Sequence, residues 1–143
     1  MIVIGYDHAG MELKEKLVKY FNKSKIDYFS VGPKVYDSED SFVPYAKEAI
    51  DYYKSECNEQ KDYLLLICGS GIGMSIVANR DAKIRAVLAY DKIQAKQARM
   101  HNNANCLCLG GRNTSFSKAK KIFETFISTN FLGGKYQDRI NSI

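Results

Sequence analysis

Tyr63-Leu64-Leu65-Leu66-Ile67-Cys68-Gly69-Ser70-Gly71-Ile72-Gly73-Met74-Ser75 reads as a buried strand that breaks into a helix through a glycine loop. Its first half, YLLLIC, is of strand length and carries no charge. It also lacks the alternation of a half-exposed strand, so both of its faces are covered, as in a parallel sheet. The three glycines that follow let the chain turn tightly with its amides facing outward. With the dipole of the helix behind them, they make a cradle for negative charge on a phosphate, a thiolate or an enediolate.

Outward from this unit the same pattern repeats. MIVIGY (1–6), DYFSV (27–31), RAVLA (85–89) and CLCLG (106–110) are four more short apolar runs bounded by turn residues. Helical spacing lies between them. Leu13, Leu17, Tyr20 and Phe21 share one face, and Ala46, Ala49, Ile50 and Tyr53 form a stripe behind Pro44, which suits a first helical turn. Asp91 can cap a helix running to about Met100. Ser115 or Ser117 can start another, with Phe116, Phe123, Phe126 and Ile127 inward, and the Gly133-Gly134 pair is expected to stop it. The segment 32–41, with Pro33 and several polar residues, reads as the main loop. Strands alternating with helices imply an α/β fold, a three-layer α/β/α sandwich around a five-stranded parallel sheet, formed as one domain over 1–143.

The composition excludes several classes. A net charge of +5, from 21 Lys and Arg against 16 Asp and Glu, is too small and too dispersed for a nucleic-acid coat, but suits an anionic small substrate. No run approaches the roughly 20 apolar residues that cross a bilayer. MIVIGY has no basic residues ahead of it and reads as a strand rather than a leader. Cys57, Cys68, Cys106 and Cys108 are best read as thiols in a reducing compartment, so a cytoplasmic location is expected.

Ligands of open parallel sheets bind beyond the carboxyl ends of the strands, which here directs attention to Asp7-His8, the segment 68–73 and the residues after Leu109. Taken singly, Cys68 would be an inert core thiol. At a strand mouth beside helix-start amides, it instead has the surroundings that favour a thiolate base or nucleophile. Cys106 and Cys108 are two apart and belong to core packing. A Walker loop would need a Lys after the glycines, and the dinucleotide fingerprint is GxGxxG where this chain has GxGxG. His8 and His101 are the only histidines. They lack the spacing of zinc ligands and suit general acid–base work, although His101 could also be a simple helix C-cap. Arg112, and Lys135 with Arg139 four residues on, could converge on one phosphate if the tail is helical, or could be a solvated surface.

GYDHAG (5–10), ICGSGIGMSIVANR (67–80), HNNAN (101–105), LGGR (109–112) and GGKYQDR (133–139), in this order, resemble the type B ribose-5-phosphate isomerase family, which also contains galactose-6-phosphate isomerase subunits. The resemblance spans essentially the whole chain. It implies a Rossmann-like domain that interconverts ribose 5-phosphate and ribulose 5-phosphate through a cis-enediol without metal or other cofactor. It also implies a homodimer with active sites at the subunit interface, able in principle to pair into a dimer of dimers, with a tail of about 133–143 packing on the partner.

Carried over by residue, the resemblance makes Cys68 the base that moves a proton between C2 and C1 and lets Ser70 assist exchange at the oxygens. Gly69, Gly71, Ile72 and Gly73 hold the enediolate. His101 opens the furanose ring, Asp7 orients a hydroxyl and Asn102 adds a hydrogen bond. His8, Arg112, Lys135 and Arg139 hold the phosphate, with the segment bearing His101 and Arg112 coming from the neighbouring subunit. The chain departs from the family pattern at Tyr6, where a Cys often stands, at Phe42-Val43, commonly Asp-Tyr, and at Lys135-Tyr136, usually Arg-His. Lys135 keeps the charge but not the bidentate fork. The nearest rival is the same chemistry on allose or galactose 6-phosphate, against which a ring-opening histidine at His101 favours the pentose. A nucleotide-binding module or a purely structural domain are the readings from other classes.

Overall fold

A computed structural model describes residues 1–143. Each of the five apolar runs forms a strand: β1 (Ile2–Tyr6), β2 (Tyr28–Val31), β3 (Tyr63–Cys68), β4 (Ala86–Leu88) and β5 (Cys106–Gly110). They make one wholly parallel sheet in the order β2-β1-β3-β5-β4. Six helices accompany them: α1 (Met11–Ser24), α2 (Phe42–Glu56), α3 (Ile72–Ala78), α4 (Lys92–Asn102), α5 (Phe116–Ser128) and α6 (Lys135–Ile140).

The period of two along the strands divides the core into two layers. Ile4, Ile67, Leu107 and Leu109 meet Leu13, Leu17 and Phe21 of α1, Ala95 and Ala98 of α4, and Phe123 and Phe126 of α5. Val3, Leu64, Leu66, Cys68, Cys106 and Cys108 face the other way, onto Ala46, Ala49, Ile50 and Tyr53 of α2 and Met74 and Ala78 of α3. The sheet is therefore covered on both sides, which is why its strands read as unbroken apolar runs.

Capping follows local chemistry. The Asp91 carboxylate accepts from the Gln94 amide at 2.8 Å, and the Ser115 hydroxyl accepts from the Lys118 amide at 3.4 Å. Asn103, in the left-handed region at φ 44°, ends α4, a position that asparagine tolerates well.

Gly133-Gly134 do not stop α5, contrary to expectation. The helix closes at Ser128, where the Ser128 and Thr129 hydroxyls turn back to the Glu124 and Thr125 carbonyls at 2.7 and 2.6 Å. Arg99 donates from Nε to the Thr129 carbonyl at 3.3 Å. Such side-chain bonds compete with the helical ladder. The glycine pair, with φ of 65° and 55°, instead launches α6.

The order of the strands positions the site. The chain passes from β1 through α1 to β2 on one side of it, and from β2 through α2 to β3 on the other. The crevice between the carboxyl ends of β1 and β3 is thus the point where the winding reverses, the place where open α/β sheets bind ligands. Asp7-His8 follow β1 there and Gly69-Ser70 follow β3.

Candidate active site

A cleft of about 430 Å³ opens at this crevice, lined by Asp7, His8, Asp40, Phe42, Cys68, Gly69, Ser70, Gly73 and Arg112 among others. Cys68 is the last residue of β3 and only 4% exposed; it packs with the core layer under α2 and α3 and is at the same time a lining residue of the cleft. Its Sγ accepts from the Gly71 amide at 3.2 Å. Ser70 Oγ in turn accepts from the Ile72 amide at 3.3 Å. Two of the amides expected to face an anion are therefore already directed at the sulfur and at the Ser70 hydroxyl. The loop therefore fixes a thiol and a hydroxyl at the mouth of β3 with its own amides.

The glycines allow this geometry for different reasons. Gly71 sits at φ 79°, so the bend that brings its amide back to Cys68 needs the left-handed region. Gly73 is a matter of space: a Cβ there would lie 2.5 Å from the Phe42 ring, which packs directly on the loop. At Gly69 the Arg112 side chain crosses, 3.1 Å from where a Cβ would stand.

Asp7 caps a short 3-10 turn (His8–Gly10), its Oδ1 accepting from the Gly10 amide at 3.0 Å. The carboxyl is 5% exposed. Burial pushes its pKa above the usual carboxylate value, with a further push from Asp40, against the opposing pull of the Gly10 amide and His8. Next to it, His8 Nδ1 meets Asp40 Oδ1 at 2.5 Å, and the His8 amide donates to Asp40 Oδ2 at 3.1 Å. His8 Nε2 lies 3.3 Å from Arg112 Nη2. Asp40 is a cleft residue that sequence reasoning missed. Within a polar loop it looks like any solvated acid, and no local spacing ties it to His8, 32 positions away.

Asp7, His8 and Asp40 bring three potential ligand atoms within 4.8 Å of one another. His8 Nδ1 is, however, committed to Asp40, and the Arg112 cation stands against the ring's other nitrogen. Both ring nitrogens thus already have protein partners, an arrangement suited to acid–base work.

The remaining candidate residues lie elsewhere in the same chain. His101, in the last turn of α4, borders a separate recess with Lys92, Lys96 and Met100. Its ring stacks on Tyr136 at 4.5 Å between centroids, with 16° between the planes. The Lys135 ammonium and the Arg139 guanidinium lie 5.4 and 5.6 Å from the centroid of that same Tyr136 ring. The helical tail does bring Lys135, Arg139 and His101 into one group, with Asn102 the next residue after His101. That group is not the one around Cys68. Arg112 does not travel with His101 either: it lies with His8 and Gly69 of its own chain. Cys106 and Cys108 are core residues, as their spacing suggested, with sulfurs 3.9 Å apart and no exposure.

A parallel α/β domain with a thiol, a carboxyl and an imidazole–arginine pair at its switch point offers acid–base groups beside a cation, which suits a small anionic substrate. Comparison with known proteins makes the class specific. The family model described as Ribose/Galactose Isomerase matches residues 2–143. The chain belongs to that family.

Among solved structures, ribose-5-phosphate isomerase B from Mycoplasma genitalium with bound ribulose-5-phosphate superposes with a TM-score of 0.92 at 35% identity, covering 99% of this chain and 91% of that one. The Thermotoga maritima ribose 5-phosphate isomerase gives 0.91 at 41% identity, covering 99% and 94%. Ribose-5-phosphate isomerase B of Escherichia coli is 31% identical over 142 residues, 99% of this chain and 93% of its own length. No helix of the protein is long and apolar enough to cross a membrane.

Proposed function

We propose that the protein is an aldose–ketose isomerase interconverting D-ribose 5-phosphate and D-ribulose 5-phosphate by proton transfer through a cis-enediol, a step of the non-oxidative pentose phosphate pathway. The observation that carries this reading is Cys68, its sulfur bonded by the Gly71 amide, lining one cavity with Asp7, His8 and Arg112. The relatives named as ribose-5-phosphate isomerases support the pentose over a six-carbon sugar.

In this mechanism Arg112 and His8 take the phosphate, which fixes the far end of the open-chain sugar. The Cys68 thiolate removes the proton at C2 of the aldose, and the negative charge moves to the carbonyl oxygen at C1. Ser70 passes a proton between the two oxygens, and the proton on sulfur, or a solvent proton exchanged for it, is delivered to C1 to give the ketose. Gly69, Ile72 and Gly73 line the loop beside the developing enediolate. Asp7, buried and partly held by the Gly10 amide, orients a sugar hydroxyl. Positioned acid–base groups of this kind contribute about 10²- to 10⁴-fold each.

His101, Asn102, Lys135 and Arg139 complete the site from a second copy of the chain, with the tail at about 133–143 lying on the partner. The support is their grouping away from Cys68 in one chain, together with exposed apolar side chains suited to burial. Ile72 and Ile76 are one turn apart on α3, and Tyr90 and Ile93 flank the start of α4. Cytoplasmic residence fits the four unpaired thiols.

The test is Cys68→Ala. It should keep the fold and lose at least about 10²-fold in kcat, and wild-type turnover in D2O should place deuterium on the reacting carbon. Near-normal turnover by the variant would remove the assigned base. Mixing Cys68→Ala with His101→Asn subunits should regain activity that neither has alone, because one site of each mixed dimer is intact. No recovery would overturn the shared site.

A further inference from the structure

We propose that Asp40 is a positioning residue for phosphate capture: it holds His8 in the tautomer protonated at Nδ1, so that Nε2 takes up a proton as the phosphate binds and donates it to a phosphate oxygen. The inference rests on the reading of the cleft as a sugar-phosphate site and adds to it one residue and one proton.

Asp40 is well anchored for the task. It immediately precedes Ser41, the N-cap of α2, whose hydroxyl accepts from the Val43 amide at 3.3 Å. Its carboxylate grips His8 twice, with Oδ1 on the ring Nδ1 at 2.5 Å and Oδ2 on the backbone amide at 3.1 Å. An ionised carboxylate only accepts hydrogen bonds, so the proton between them belongs to Nδ1. Nε2 is left with its lone pair, which accepts from Arg112 Nη2 at 3.3 Å; an arginine can only donate. The substrate-free cleft is therefore a closed chain from Asp40 through His8 to Arg112.

A phosphate ester is largely dianionic near neutrality and presents only acceptor oxygens. A bare Nε2 would repel it. Once protonated from solvent, the same nitrogen becomes a charge-assisted donor, and the Arg112 N–H that it had accepted is released to the anion. The N–H bond forms as a hydronium O–H bond breaks in the solvent, the Arg112–Nε2 hydrogen bond is given up, and no covalent bond of the phosphate changes.

The groups around the ring favour this exchange. The Asp40 and Asp7 carboxylates stabilise an imidazolium, while Arg112 opposes it until the dianion arrives between the two cations. Tyr36 meets the ring edge-on at 5.5 Å, and Glu12 and Glu15 border the outer recess that His8 also lines. Phosphate binding and proton uptake at His8 are thus one event.

The experiment is nitrogen NMR of protein labelled in its two histidines at pH 8, with His8→Asn used to assign the signals and inorganic phosphate as the probe. Free protein should show His8 protonated at Nδ1 and bare at Nε2, and saturating phosphate should add an N–H at Nε2. Asp40→Asn should weaken phosphate binding by about tenfold. It should raise KM for ribose 5-phosphate comparably with kcat within about threefold, and Asp40→Glu should recover part of the loss. A free protein protonated at Nε2, a bare Nε2 with phosphate bound, or an unchanged phosphate affinity in a folded Asp40→Asn protein would each overturn the proposal. If that variant does not fold, the ring nitrogens of the wild type decide the matter. Ring nitrogens that respond as described in a protein inert toward ribose 5-phosphate would sink the isomerase reading and leave this one standing.

Discussion

Replacing Gly71 with alanine strikes the structure at two points that can be separated. At φ 79° the residue lies in the left-handed region, where a side chain costs about 1–2 kcal/mol. The added Cβ would also lie 2.6 Å from Leu88 Cδ1 and 2.9 Å from the Leu109 carbonyl carbon. The leucine tip can swing aside. The Leu109 backbone cannot, because it belongs to β5, paired with β3. Overpacking of this kind costs about 1–3 kcal/mol, so the total is about 2–5 kcal/mol, a large part of the ~5–15 kcal/mol that holds a typical domain together.

Urea unfolding at pH 7 should show that loss, with wild type and variant at equal concentration so that any assembly contributes alike. At about 3–4 °C for each kcal/mol, the melting temperature should fall by about 6–20 °C. Gly133→Ala is the control. Its φ of 65° carries the conformational cost, but the space around it is open, so it should lose only about 1–2 kcal/mol. In the Gly71 variant the amide also moves off Cys68 Sγ, removing a fixed donor from the sulfur, and kcat should drop by about 10²-fold. A Gly71 variant no less stable than the Gly133 variant would refute the steric argument, and an unchanged kcat would refute the role given to the amide.

Two further outcomes follow from the site. Burial raises the Asp7 pKa in the folded chain above the unfolded value of about 3.9, against the pull of the Gly10 amide. The native state therefore binds the proton more tightly, and stability falls as pH climbs from that value through the folded pKa. Asp7→Asn, which keeps an acceptor for the Gly10 amide, should flatten this slope and be more stable than wild type at pH 7 while losing activity; a parallel pair of stability–pH curves would contradict it. Tyr136→Ala removes the ring stacked on His101 at 4.5 Å. It should cut kcat by about two- to tenfold, in line with the worth of an aromatic pair, and a variant with wild-type kcat would show that the stack does not position His101.

Much of the fold was legible because it is written in local patterns. Charge-free runs such as YLLLIC, the Leu13-Leu17-Phe21 face, and the caps at Asp91 and Ser115 each report on neighbours a few residues away. Local pattern also explains the one misplaced boundary. Gly133-Gly134 carry the usual mark of a helix end, but the weaker signal of Ser128 and Thr129, whose hydroxyls return to helix carbonyls, ended α5 earlier.

The candidate site divides in the same way. Cys68, its glycine loop and Asp7-His8 could be found from the sequence because each directly follows a strand, and strand ends converge in a parallel sheet. Asp40 could not, since its meeting with His8 depends on how a ten-residue loop over 32–41 is laid across the β1 end. Nor could the sequence separate Arg112 from His101, 11 positions apart in the chain. β5 runs between them, and its length carries Arg112 to the carboxyl edge of the sheet beside Gly69 while His101 stays at the end of α4, stacked on Tyr136. By itself the sequence determined the layers, the strand count and the sulfur at the mouth of β3, because period and turn chemistry are short-range. Only the tertiary structure decided which charges share a cavity, because that depends on where separate loops end in space.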